Sequence, residues 1–267
     1  MLIGNAISVV RCSKPTAPFV PSDLGNMGLW LDAADSATVT LVSGAVSQWN
    51  DKSGAGKNAV QATSTKRPTY TSSLLNGKGG LTYDGVDDCM PVASYATKPF
   101  ISVFIVTKTT NAKPFFMEQG TDVNSVDGFY ILGTNAYAGA TRRSGTLNYA
   151  LGPTNWLGPN DEIISYVTTS TPAVSGSIFS FWRSGNTVAL TQSTGTTVAD
   201  TTTTATLNIG SRNNGALVQM SGNLHEVIFY NAELSTTNRQ KVEGYLAHKW
   251  GLTANLPVTH PYKTVAP

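Results

Sequence analysis

The feature that most constrains this chain is the rhythm with which short apolar runs are cut by turn residues. "FISVFIVTK" (100–108), "GFYILG" (128–133), "LNYALG" (147–152), "EIISYVTT" (162–169), "TATLNIGSR" (204–212) and "GNLHEVIFYN" (222–231) are rich in β-branched and aromatic residues and are separated by Gly-, Asn- and Pro-containing stretches. Runs of that length suit strands rather than helices. In "GGLTYDGVDD" (79–88), Leu81 and Tyr83 fall on one face, and in "AVSQWND" (45–51) alternation sets Val46 and Gln48 against Ser47 and Trp49. "FISVFIVTK" is apolar nearly throughout, which predicts a central strand covered on both faces. "SIFSFWRSGNTVAL" (177–190) predicts a hairpin around Arg183-Ser184-Gly185-Asn186, and "LWLDA" (29–33) a short strand. Many short strands with this punctuation predict an all-β fold, a two-sheet antiparallel sandwich or jelly roll.

One segment has the other period. In "LSTTNRQKVEGYLAHKWGL" (234–252), Val242, Tyr245, Leu246 and Trp250 share a helical face. Ser235 is a good N-cap, Lys249 suits the negative end of the helix dipole, and Gly251 can take the left-handed stop. This predicts one C-terminal α-helix lying on the sandwich and sealed by Trp250. The Thr-rich "TGTTVADTTTTAT" (194–206) reads as an edge loop and strand. Residues 1–25 stand apart: Pro15, Pro18 and Pro21 recur at spacing three, which favours extended backbone. The expected division is an N-terminal arm and Pro-rich linker at 1–25 and a jelly-roll domain at 26–267, with Leu2, Ile3, Ile7, Val9 and Val10 favouring an arm that docks on a partner.

Several function classes are disfavoured by composition and pattern. Only 13% of residues are charged and the net charge is +2, with basic residues no denser than the pairs Lys66-Arg67 and Arg142-Arg143, so no nucleic-acid stripe is formed. The N-terminus lacks the basic region and unbroken apolar core of a signal peptide, and no run is long enough for a transmembrane helix. The expectation is a chain made in the cytosol, with no membrane insertion; if it acts outside a cell, it leaves by a route other than the usual export signal, for example on a particle released by lysis. Cys12 and Cys89 form either one disulfide or a pair of free buried thiols. "WNDKSGAGKNA" (49–59) has the Gly56-Lys57 of a phosphate loop, but Asp51 stands where its first glycine belongs and Asn58 where its hydroxyl belongs. It reads instead as a turn after a strand ending in Trp49, with Asp51 bonding turn amides. "HEVIF" (225–229) has Phe229 where a zinc site needs its second histidine, so His225 reads as a core histidine, and no G-x-S-x-G is present.

"LWLDAADSATVT", "VSQWNDKSGAGKNAVQ", "RPTY", "LTYDGVDD" and the terminal "GNLHEVIFYNAELSTTNRQKVEGYLAHKWGL" together resemble the laminin-G-like jelly rolls of the concanavalin A-like lectin/glucanase superfamily, as found in phage virion and bacterial surface proteins. The resemblance spans 28–252 and implies a two-sheet antiparallel jelly roll. Glucanase relatives carry an E-x-D-x-E strand, but none of the five glutamates here (118, 162, 226, 233 and 243) begins one, so no catalytic pair is expected. Relatives often bind calcium near the sandwich rim, and Asp84, Asp87 and Asp88 in "YDGVDD" are the candidate ligands; the alternative is a solvated, capped loop. A glycan site needs aromatic platforms beside polar side chains, and Tyr137, Arg142, Arg143, Tyr149, Trp156 and Asn160, in the loop-rich 134–160, are the candidates; the alternative for Trp156 is packing under its own loop. The expected function is a non-enzymatic phage virion protein, on the tail or capsid surface, joined to other virion proteins through the N-terminal arm and binding a host-surface glycan, with homo-oligomerisation (a trimer) in keeping. The alternatives are a capsid decoration protein without glycan binding and a bacterial lectin-like adhesin.

Overall fold

The computed structural model describes residues 17–109, 115–120, 128–132, 137–143, 146–153, 157, 159–169, 178–190, 192–193 and 202–267; for Tyr130, Leu132, Tyr137, Arg142, Arg143, Thr146, Gln192 and Ser193 it describes the backbone alone. The chain folds first into β1 (Met27–Asp32), β2 (Val39–Val42), β3 (Ala45–Trp49), β4 (Ala59–Val60), β5 (Thr69–Leu75) and β6 (Lys78–Asp84). Longer strands follow: β7 (Met90–Thr97), β8 (Ser102–Thr109), β9 (Phe115–Gln119), β10 (Gly128–Leu132), β11 (Tyr137–Arg143), β12 (Thr146–Leu151) and β13 (Glu162–Thr168). The hairpin β14 (Phe179–Arg183) and β15 (Asn186–Thr187) precedes β16 (Gln192–Ser193), β17 (Thr203–Ile209), β18 (Ser211–Arg212), β19 (Leu217–Gln219) and β20 (Ser221–Tyr230). A single α-helix among the described residues, α1 (Thr236–Trp250), comes last.

All pairings are antiparallel and build two layers. In the first, β20 pairs with β8 along one edge, and with β6 and then β1 along the other. β13, β14 and β15 continue outward from β8. The second layer runs β4, β7, β17, β9, β10, β11, β12, β16. β3 joins the layers at one edge by touching both β5 and β4. This is the antiparallel all-β sandwich with one C-terminal helix that the punctuated strands predict.

The main core lies between the layers, where Leu81, Val103, Ile105 and Phe229 meet Val92, Phe116, Phe129 and Leu207. A second core lies on the outside of the first layer, where Phe104, Val106, Ile163 and Ile228 meet Val242, Leu246 and Trp250 of α1. β8 is therefore buried on both faces, Val103 and Ile105 inward and Phe104 and Val106 toward the helix. Leu81 and Tyr83 share the inner face as expected.

β3 departs from strict alternation. Val46 and Trp49 are both fully buried although three residues apart, because the register to β2 shifts between Thr40 and Leu41. A bulge adds one residue to one strand and reverses the facing of everything beyond it. The Thr-rich stretch departs as well: residues 194–201 lie outside the description, but β17 is an interior strand held between β7 and β9 rather than an edge.

α1 is capped as read. Ser235 Oγ accepts from the Asn238 amide, Gly251 has φ 71°, and the Leu252 N–H reaches Ala247 O at 2.8 Å, the bond that closes a Schellman stop. Val242, Leu246 and Trp250 are buried, whereas Tyr245 sits at the flank against Phe19 and Trp30. The presence of Phe19 there bears on the expected linker. Residues 17–25 lie on the domain: Phe19 packs on Tyr245, the Tyr230 hydroxyl donates to Pro21 O at 2.8 Å, and Phe19 N–H reaches Pro267 O. The expected arm, 1–11, lies outside the described residues.

The Asp51 turn forms as expected. Its carboxylate accepts from the amides of Ser53 (2.8 Å) and Lys57 (3.0 Å), and from Trp30 N of β1 at 2.9 Å, so the turn is fastened to the sheet. Cys89 is a free buried thiol, pushed up to about 11 by burial, while Cys12 lies outside the description.

Candidate functional site

The strongest site geometry arises where the loop before β13 meets the β14–β15 hairpin. That hairpin turns through Ser184 (φ 46°) and Gly185 (φ 79°), two successive left-handed residues whose twist matches the flanking strands. The turn packs on the segment after α1, with Pro257 and His260 beside Gly185. Between hairpin and loop opens a cleft of about 570 Å³, lined chiefly by Asn160, Asp161, Glu162, Arg183, Asn186 and Asn255.

The charged groups of this cleft are held from behind. Glu162, buried, forms an ion pair with Arg183 across the β13–β14 pairing. Asp161 Oδ1 meets His225 Nε2 at 2.9 Å, and because a carboxylate only accepts, that nitrogen carries the proton. His225 is fully buried on β20, its ring centre 5.3 Å from that of Trp250, so it is the core histidine the sequence suggests, but one whose outer nitrogen fixes a cleft residue. Asn255 Nδ2 donates to the Asp161 carbonyl at 3.1 Å. Asn160 and Asn186 are exposed. The arrangement offers a fixed carboxylate oxygen and several amides to a ligand bearing hydroxyl groups. Among the described residues it does not offer the facing, separated carboxylates that glycoside hydrolysis needs, since Asp161 and Glu162 are chain neighbours and each is already engaged.

Of the expected glycan-site residues whose side chains are described, Asn160 lies in this cleft and Tyr149 does not. The stretch 134–160 holds a regular hairpin, β11–β12, rather than loops alone, with Ala138 and Ala150 in the core. Tyr137 and Arg142–Arg143 lie at opposite ends of β11, roughly 15–20 Å apart along the backbone at strand rise. Tyr149 is half-buried against Phe115 and Ala140 on the outer face of the second layer. Trp156 lies outside the described residues. Asp161, Arg183, Asn186 and Asn255 were missed because their meeting depends on how the hairpin and the segment after α1 pack together. The only local signal was the hairpin turn itself.

The acidic loop does bring its residues together: the carboxylates of Asp84, Asp87 and Asp88 can present oxygens within 4.8 Å of one another. Asp88 Oδ2 accepts from Asp84 N at 2.9 Å, and Asp84 Oδ1 from Val86 N at 2.7 Å, so the loop also caps itself. Burial, reinforced by its acidic neighbours Asp84 and Asp87, pushes the Asp88 carboxyl up to about 6, with the bond from Asp84 N opposing. An all-oxygen donor set suits a hard cation such as calcium and not zinc.

The sequence matches no family profile and no curated protein. Solved structures share its fold. Trypanosoma rangeli sialidase in complex with sialic acid aligns over 85% of this chain and 33% of its own length, at 13% identity and a TM-score of 0.52. Domain 4 of AbnA, a GH43 extracellular arabinanase from Geobacillus stearothermophilus, in complex with arabinotriose, aligns over 80% of this chain and 96% of its own, at 9% identity and a TM-score of 0.49. The binding domain of botulinum neurotoxin serotype D aligns over 82% and 50%, at 13% identity and a TM-score of 0.46. This chain thus spans about a third of the sialidase. At such identity the likeness shows a shared β-sandwich fold alone and leaves the chemistry to this chain's own residues.

Proposed function

We propose that this chain is a non-enzymatic carbohydrate-binding module that takes a neutral glycan in the cleft formed by Asn160, Asp161, Asn186 and Asn255. The observation that carries the reading is Asp161, set at the cleft with Oδ1 held by a buried histidine and its other oxygen left for paired sugar hydroxyls. Two carboxylates face one guanidinium among the described lining residues, which disfavours an acidic sugar. A glycan array probed with the intact chain tests this. Binding confined to neutral glycans is expected, and binding only to sialylated or uronate-bearing glycans would overturn it.

The setting proposed is the surface of a phage virion, tail or capsid, after synthesis in the host cytoplasm, with attachment to other virion proteins through the N-terminal segment and assembly as a homo-oligomer. The sequence resemblance to virion jelly rolls supports it. Because residues 17–25 pack on the domain, the informative deletion is 1–16 rather than 1–25. The truncated chain is expected to fold and to be lost from the particle, and its retention there would remove the arm from the proposal. No glycan binding together with full incorporation would favour a decoration role. Calcium held by Asp84, Asp87 and Asp88 belongs to the same proposal.

A further inference from the structure

A second cleft opens on the outer face of the second layer, of about 320 Å³. Its floor is Val60 of β4 with Pro91 and Ala93 of β7; its walls carry the amides of Asn58, Asn208, Asn213 and Asn214. No lining residue is shared with the Asp161 cleft, which is built on the first layer.

The amides are oriented by their own hydrogen bonds. Asn58 Oδ1 accepts from Asp51 N at 2.9 Å, and Asn214 Oδ1 from Gln61 Nε2 at 3.2 Å. With their oxygens engaged, Asn58 and Asn214 each have the NH₂ group left to donate, whereas Asn208 already donates to Gly120 O at 3.2 Å. The turn that delivers Asn213 and Asn214 is unusual. Asn213, Asn214 and Gly215 are successively left-handed, at φ 47°, 50° and 86°. Such backbone persists only where its surroundings fix it. Here the Gly215 amide donates to Ser211 Oγ at 2.7 Å, Lys66 Nζ to Asn214 O at 2.7 Å, and the Asn213 amide to Glu118 Oε2 at 3.3 Å. Glu118 is itself held by Arg212, and Asp87 O lies against Gly215. Val60, meanwhile, is 45% exposed on this floor.

We infer that this is a second carbohydrate subsite, for one neutral sugar ring. The ring's C–H face would rest on Val60, Pro91 and Ala93, and its hydroxyl oxygens would accept from the Asn58 and Asn214 amides. An uncharged lining of amide donors over an apolar floor suits that chemistry, and the volume lies at the small end for ligand clefts. It stands independently of the Asp161 cleft, so either can fail alone.

The test is an NMR titration of the full chain with the methyl glycosides of glucose, galactose and N-acetylglucosamine, and with sialic acid, following side-chain amide signals. Saturable shifts at Asn58, Asn213 and Asn214 are expected with at least one methyl glycoside. Asn214→Asp keeps the acceptor for Gln61 and removes the donor, and should weaken those shifts about tenfold. Ala93→Trp, at an exposed strand position, should abolish them by filling the cleft. Both variants should leave the responses of Asn160, Asn186 and Asn255 unchanged. Absence of saturable shifts with all three glycosides, response to sialic acid alone, or equal binding by Ala93→Trp would each overturn the inference.

Discussion

The two layers of the sandwich treat their outer faces in opposite ways. The first is roofed by α1, and beneath the roof lies a buried charge network. Glu226 accepts from both Trp30 Nε1 and Trp250 Nε1, and Lys249 bridges Glu226 and Asp32 at 2.7 Å each. Burial drives the Glu226 carboxyl upward and Lys249 opposes it. On the second layer no described helix covers the outer face, and polar groups such as Asn208, Asn213 and Asn214 line a cleft instead. One face is thus packed under a helix, and the other carries the cleft proposed for a sugar ring. The Asp161 cleft adjoins the roof, since its anchor His225 packs on the roof's Trp250.

Removing the roof's keystone should produce the largest change. Trp250→Ala deletes a fully buried ring and one donor to Glu226, and should cost about 3–5 kcal/mol in denaturant unfolding. A loss under about 1 kcal/mol would show that α1 does not seal the first layer. The effect should also reach the Asp161 cleft through His225 and spare the Asn58–Asn214 cleft.

Asp88 sharpens the comparison from the open side. Its carboxyl, at 3.8 ordinarily, is raised to about 6 in the fold. The folded chain therefore holds a proton that the unfolded chain has lost, and this contribution to stability fades as pH rises from about 4 to about 6. The full swing corresponds to about 3 kcal/mol at most. Asp88→Asn should flatten the slope in that window. Calcium in place should do the same by favouring the charged form, so unfolding midpoints at pH 7 should rise with calcium and fall with chelator. Identical midpoints would argue for a loop that only caps itself.

A smaller effect is expected at the turn that begins at Asp51. Asp51→Ala removes the acceptor for Ser53, Lys57 and Trp30 amides, and about 1–3 kcal/mol should be lost. No change would mean that the turn is held by other contacts.

Local patterns made much of this fold legible. Leu81 and Tyr83, the doubly buried β8, the Ser184-Gly185 hairpin and the Ser235 and Gly251 caps all follow from spacing and turn chemistry. Trp49 and Val46 do not, because the bulge that lets both point inward is set by pairing with β2. The candidate site was barely legible. Asn160 is in the cleft as its type suggested, whereas Asp161, Arg183, Asn186 and Asn255 become neighbours through packing between segments far apart in the chain. The aromatic and basic residues of 137–149 suit a sugar by type, and the hairpin distributes them along β11 and β12.

The central claim, a cleft that binds neutral glycan through Asp161 without cleaving it, has one direct test. The intact chain and Asp161→Asn, which preserves an acceptor for His225, are titrated with an array-identified neutral glycan while the glycan itself is followed by NMR. Saturable shifts at Asn160, Asn186 and Asn255, weakened about tenfold or more in the variant, with the glycan recovered intact, are the predicted result. Equal affinity in the variant, or release of cleaved sugar by the parent chain, would contradict it.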